Sequence, residues 1–344
     1  MNWKIVFILL TLFLTGCTEK PQTDGSAGGG QNPPAEKTIW TALDSWTDVS
    51  ADYGDLPRYI NVYKSPSQLN GSNAVAYVAV ADMTYAEWDI WSITDPEGDG
   101  SDESFKTPTK VYSETSAPIV INAGFFYASG SKTYASSLAV RDSRVLTYNI
   151  NYAVYDWGVT PYDMRYPTRA AFREDVDGTF DACYVYSGSF GHYMYQSAAN
   201  NSWSKTTAMT PSTSYPSGGK PFAAVTAIGG GPLLINKGKF VDSYEKELFN
   251  GPNGIAPDSA QPRTAIGVTA DRQLVLFVCE GRNVTPGVSG FTTADVANIL
   301  LDLCCTEAIN LDGGGSSCML VNGKETIKVS DGSQRPVGST IMIR

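Results

Sequence analysis

Residues 263–321 are the stretch that most constrains this chain. Two apolar runs, 265–269 and 274–279, are joined by a short polar turn and followed by FTTADVANILLDL. That last segment predicts a helix with an explicit start. Thr292 fits the N-cap, Asp295 stands at the capping-box position, and Phe291 can staple to Val296. Val296, Ile299, Leu300 and Leu303 recur at helical spacing and form one apolar stripe. An apolar run at 308–311 follows at once, then three glycines, then a strand over 318–321 and the turn Asn322-Gly323. Strand, helix, strand makes a crossover unit, and hairpins flank it. The fold class is therefore read as α/β (α+β): a mixed β-sheet with few crossover helices. If the strands on either side of the helix are parallel neighbours, Glu280 and Asp312 close them at one edge and can share a cleft.

Upstream, apolar runs and alternations predict strands at 59–63, 74–81, 88–93, 118–122, 137–145, 169–173 and 179–186. Residues 197–219, rich in Asn, Ser and Thr, read as a long surface loop. VDSYEKELFNGPNG predicts a short helix, with Asp242 and Glu245 as a capping box and Asn250-Gly251-Pro252 as its end. No internal repeat is visible.

The first residues read as a targeting segment. A basic start at 1–4 precedes an apolar run at 5–14, about half of the roughly 20 residues that a spanning helix needs. Leu14-Thr15-Gly16-Cys17 resembles the cleavage site of a bacterial lipoprotein signal, in which Cys17 receives a lipid. The expectation is a protein of the bacterial cell envelope that meets the membrane only through that anchor. Residues 18–37 are Gly, Pro and polar without apolar period, and read as a flexible linker. Residues 38–116 form a β-rich N-terminal region of the same domain or a small added layer, and 117–344 the main domain.

A formal net charge of −10 argues against a nucleic-acid partner. The single histidine, His192, lies in GHYMYQ. One imidazole is too few for a His-based zinc site, and no nucleophile elbow surrounds it. An aromatic-cluster or surface role is the plain reading. Acidic loops can offer oxygen ligands to a divalent cation, but no EF-hand spacing is present, so no cofactor is assigned. After Cys17 there are five cysteines, most of which read as small buried hydrophobes.

The residues that can carry chemistry cluster at glycine-flanked strand ends. Asp312, Gly313, Gly314, Ser316 and Ser317 form a loop that is either a close backbone approach or an anion cradle of amides and hydroxyls. Glu280 ends the run VLFVCEGR, and paired carboxylates suit glycosidic bond cleavage. Arg263, Arg282 and Arg335 present planar, always charged forks suited to phosphate or carboxylate. Asn122 in NAGFF can donate to and accept from sugar hydroxyls.

NAGFF, GGGPLLI, RTAIGV, EGR, the capped helix, INLDGGGSS and RPVGS occur here in the order found in phosphodiester glycosidase domains. From residue 117 to the end the chain resembles that family. The resemblance implies hydrolysis of a sugar joined through its anomeric oxygen to a phosphodiester, such as an N-acetylglucosamine-1-phosphodiester. Carried over by motif, the catalytic candidates are Asp312 and Glu280. Substrate and phosphate would be held by Asn122, Arg263, Arg282, Gly313, Gly314, Ser316 and Arg335. Two departures stand out. Glu280 replaces the Asp usual before Gly-Arg, and Cys304-Cys305-Thr306-Glu307 replaces the usual Leu-Gly. A phosphodiesterase cleaving P–O, or a glycan-binding lipoprotein without turnover, remain the alternative readings.

Overall fold

The computed structural model describes residues 38–94, 105–129, 132–189, 191–252 and 254–344. The signal, Cys17 and the linker lie outside the described residues. In chain order, the elements that build the site are β1 (Ala76–Asp82), α1 (Pro108–Thr115), β2 (Ile119–Asn122), β3 (Arg263–Thr269) and β4 (Gln273–Cys279). They continue with α2 (Thr293–Asp302), β5 (Cys305–Asn310), β6 (Met319–Val321) and β7 (Ser339–Ile343).

An eight-stranded sheet runs in the order Thr47–Asp48, Ile60–Lys64, β1, β4, β3, β5, Leu233–Asn236, Lys239–Phe240. Every neighbouring pair in it is antiparallel. β4 shows how sequence period becomes layering. Leu274, Leu276 and Val278 enter the large core shared with the other sheets. Val275, Phe277 and Cys279 face the opposite way, into a core completed by Val296, Ile299, Leu300 and Leu303 of α2. The helix stripe thus covers one face of the sheet. A seven-stranded and a five-stranded sheet supply residues to the core on its other face. In the five-stranded sheet, β2 lies between β6 and β7, and β7 pairs with Trp88–Ser92. The fold is a β-rich α+β architecture.

The capped helix forms as the sequence predicts. The Thr292 side chain accepts from Asp295 N–H, and the Asp295 carboxylate accepts from Thr292 N–H. The crossover differs from expectation in one respect. β4 and β5 run in the same direction, but β3 lies between them and pairs with both. The β3–β4 hairpin places β3 beside β4, so the crossover must pass over β3 to reach a free edge. The strand ends after β4 and β5 still lie on one side of the sheet, with the start of β3 between them.

Other local readings are corrected. Residues 241–250 make turns rather than a helix, with Asp242 and Leu248 in the left-handed region. Tertiary demand overrides the helical pattern there. The fully buried Glu247 carboxylate accepts from Leu233 N–H at 2.7 Å, Ala170 N–H at 2.6 Å and Ser243 Oγ at 2.6 Å, which a helix facing solvent would not permit. The run 137–145 is a hairpin, Ala139–Arg141 and Arg144–Thr147, turned by Asp142 and Ser143 at positive φ. The helix α1 was not predicted from sequence. It begins at a Thr107 cap with Pro108 in the first turn and ends at Ser116 in the left-handed conformation.

Residues 38–116 contribute the central strand β1 and, through Trp88–Ser92, a partner for β7. Residues 37–344 form one compact unit. None of the five cysteines after Cys17 is joined in a disulfide. His192 stacks on Tyr148 with ring centroids 4.9 Å apart, and its Nδ1 lies 3.0 Å from Ser187 Oγ. No helix among the described residues is long and apolar enough to cross a membrane.

Candidate active site

The edge where β4 and β5 end and β3 begins is built around one amide. Asn122, fully buried at the end of β2, donates from Nδ2 to the Asp312 carbonyl at 2.6 Å. Its Oδ1 accepts from Thr264 Oγ1 at 2.9 Å and Cys318 N–H at 3.1 Å. Asp312 N–H in turn donates to the Ala123 carbonyl at 2.9 Å. Asn122 therefore ties two sheets to the glycine loop. Its amide oxygen and one N–H are spent on protein partners, so it positions Asp312 rather than offering a free amide to sugar.

The three glycines clear space for three different neighbours. A Cβ on Gly313 would stand 2.7 Å from the Pro262 carbonyl oxygen, and one on Gly314 would stand 2.9 Å from Arg282 Nη2. A Cβ on Gly315 would overlap both the Asp331 carboxylate and the Arg335 guanidinium. The loop folds as a short 3₁₀ turn, Gly314–Ser316. Its amides are largely committed. Gly313 N–H donates to Asp312 Oδ1 at 2.9 Å, Gly314 N–H to Pro262 O at 2.8 Å, and Ser316 N–H to Gly313 O at 3.1 Å. The anion-cradle reading of these amides gives way to a close-approach reading: the loop is shaped around charged side chains. Gly314 also sits at φ +59°, where an L-residue is strained. Gly314→Ala is expected to cost about 1–2 kcal/mol and to displace Arg282, read as a lower denaturation midpoint together with weaker phosphate binding.

The three predicted arginines separate into two kinds. Arg263, only 2% exposed, donates from Nε to Phe291 O at 3.0 Å and from Nη1 to Ile255 O at 3.0 Å. Its Nη2 reaches Ala256 O at 2.7 Å and Ser259 O at 2.9 Å. Burial lowers its pKa to about 10. This guanidinium organises the loops before β3 and α2, which corrects its reading as a phosphate ligand. Arg282 and Arg335 behave differently: both are substantially solvent-exposed and both reach the glycine loop. Arg282 Nε donates to Gln261 Oε1 at 2.9 Å, and Arg335 Nη1 to Ser316 Oγ at 3.4 Å. Asp331, missed from sequence, joins them. It pairs with Arg335 Nη2 and lies 3.7 Å from Arg282 Nη1. The only sequence signal for it was an Asp-Gly turn four residues before Arg335.

The two carboxylates are set differently. Asp312 is half-buried; burial raises its pKa to about 6, opposed by the Ser316 hydroxyl, the positive charge of Arg335 and Gly313 N–H. It is therefore mostly ionised at neutral pH. Glu280 is 3% exposed. Its Oε1 accepts from Lys328 N–H at 3.0 Å, while its buried Oε2 has no partner among the described residues. The segment 328–335 thus contacts Glu280, Arg282 and the glycine loop in turn. A separate cleft of about 420 Å³, lined by Tyr184, Asp242, Ser243 and Tyr244 among others, includes none of these residues. Among the described residues, no group of three or more His, Cys, Asp or Glu side chains is placed to hold a metal ion.

A sequence model of the family described as phosphodiester glycosidase matches residues 167–344, just over half of the chain. The chain belongs to the phosphodiester glycosidase family. It is 33% identical over 110 residues to the human N-acetylglucosamine-1-phosphodiester alpha-N-acetylglucosaminidase, which takes in 32% of this chain and 21% of the human protein. It is 42% identical over 82 residues to the SPbeta prophage-derived uncharacterized protein YomE of Bacillus subtilis, 24% of this chain and 12% of that one. The matched segments therefore span about a fifth or less of those relatives. Among solved structures, the zebrafish N-acetylglucosamine-1-phosphodiester alpha-N-acetylglucosaminidase catalytic domain, auto-inhibited by its pro-peptide, aligns with TM-score 0.52 at 18% identity. That alignment covers 87% of this chain and 88% of the zebrafish chain. A hypothetical protein from Synechocystis aligns with TM-score 0.53 at 14% identity, over 84% of this chain and 64% of that one. These likenesses show a shared fold over 84–87% of this chain.

Proposed function

We propose that this phosphodiester glycosidase hydrolyses a sugar 1-phosphodiester at the C1–O bond, releasing free sugar and a phosphomonoester. The observation that carries the reading is the pair of exposed guanidiniums, Arg282 and Arg335, at the glycine loop that follows Asp312. Arg282 and Arg335 balance the charge of the departing phosphate. Phosphate is a weakly basic leaving group, so the reaction needs less acid assistance than an ordinary glycoside. It needs an anion at the carbon that turns positive. Asp312, ionised at neutral pH, serves there, either directly or by activating water. Export and a lipid on Cys17 would place the enzyme on the cell envelope, with envelope glycan phosphodiesters as its substrate class.

The test is hydrolysis of an N-acetylglucosamine-1-phosphodiester by the purified chain in isotopically labelled water. Label is expected in the sugar hydroxyl. Label in the phosphate would mean P–O cleavage, and tight sugar binding with no release would mean a glycan-binding protein; either result overturns the reading.

A further inference from the structure

The two exposed guanidiniums do not stand alone. Asp331 pairs with Arg335 through one carboxylate oxygen, and its other oxygen lies 3.7 Å from Arg282 Nη1. This triad rests on the backbone of Gly314 and Gly315, where a Cβ would collide with it. Two guanidiniums and one carboxylate give this triad a single net positive charge. A phosphodiester carries one negative charge at neutral pH, whereas a phosphomonoester, with a second pKa of about 6, carries nearly two. We propose that Asp331 is a specificity-determining residue that matches the site to the monoanionic diester and weakens its hold on a dianionic monoester. This rests on the proposed reaction, in which the diester enters and the monoester leaves. Without Asp331 the second positive charge would be uncovered and the product retained.

The effect must scale with ligand charge. One uncovered charge at a solvent-exposed site changes affinity by about threefold per ligand charge. In Asp331→Asn, calorimetric titration at about pH 7.5 is expected to tighten dimethyl phosphate about threefold and methyl phosphate about tenfold. At about pH 5, where both ligands carry one charge, the two gains converge. The other charged groups around this triad, Asp312, Glu280 and Lys328, are unchanged in the variant, so the difference between ligands isolates position 331. Asp331→Glu should restore the wild-type ratio. Equal gains for both ligands at the higher pH overturn the proposal. So does a rise of tenfold or more in wild-type affinity for methyl phosphate between those pH values, a measurement that needs no variant. If the charge contrast holds but no sugar phosphodiester is hydrolysed, the reaction reading fails and the selectivity stands. If a sugar phosphodiester is hydrolysed without the contrast, the reaction stands and the role of Asp331 fails.

Discussion

Asp312→Asn is expected to lower kcat by about 10²–10⁴-fold while making the protein more stable at pH 8. The two effects share one cause. Burial raises the Asp312 carboxyl from 3.8 to about 6, so the folded chain binds its proton more tightly than the unfolded chain does. For a raised acid, that contribution to stability is complete below pH 3.8 and is lost as pH rises through 6. At pH 8 the native state carries the ionised form at a cost of about 1–3 kcal/mol, and the amide removes it. The neutral side chain keeps an acceptor for Gly313 N–H, so the loop should hold its shape. Urea denaturation at pH 8 and pH 4 checks the stability half, with the gain vanishing at the lower pH. The activity half is checked by the pH profile: wild-type kcat/KM should rise with pH through about 6. A profile that instead falls through that range would make Asp312 a proton donor and invert its role.

Arg263→Ala should act mainly on stability, by about 3–5 kcal/mol. Its guanidinium reaches four backbone carbonyls, those of Ile255, Ala256, Ser259 and Phe291, and truncation leaves them without that donor. Lysine cannot substitute, because a point ammonium lacks the planar fork that spans these oxygens. The expected readout is a large drop in denaturation midpoint, with activity recovered in proportion to the fraction folded at low temperature. A variant as stable as wild type but unable to bind phosphate would restore Arg263 to the ligand set.

Much of the fold was legible because it is periodic. The alternation of β4 and the stripe of α2 each follow from residue spacing, and the Thr292–Asp295 cap is a local hydrogen-bond pair that neighbours in sequence can make unaided. α1 was illegible because its eight residues, PTKVYSET, bury little apolar surface and include β-branched Thr and Val, leaving only the Thr107-Pro108 start as a signal. The segment 241–250 misled for the opposite reason. Its helical pattern is genuine, but Glu247 is drawn inward to serve the buried amides of Leu233 and Ala170, two distant stretches that no local pattern reveals.

The site divides along the same line. Which residue types stand at strand ends is a local property, and the sequence by itself determined the glycine triplet, the carboxylates after β4 and β5, and the arginines beside them. Only the tertiary structure decided what each one faces. Arg263 turned inward because loop carbonyls at 255–259 and 291 converge on it; Arg282 and Arg335 stayed exposed because the glycines leave their guanidiniums room on the backbone. Asp331 joined them through a loop that crosses from Glu280 to Ser316. Such convergence depends on chain segments far apart in sequence, and the burial that raises the pKa of Asp312 exists only once they have met.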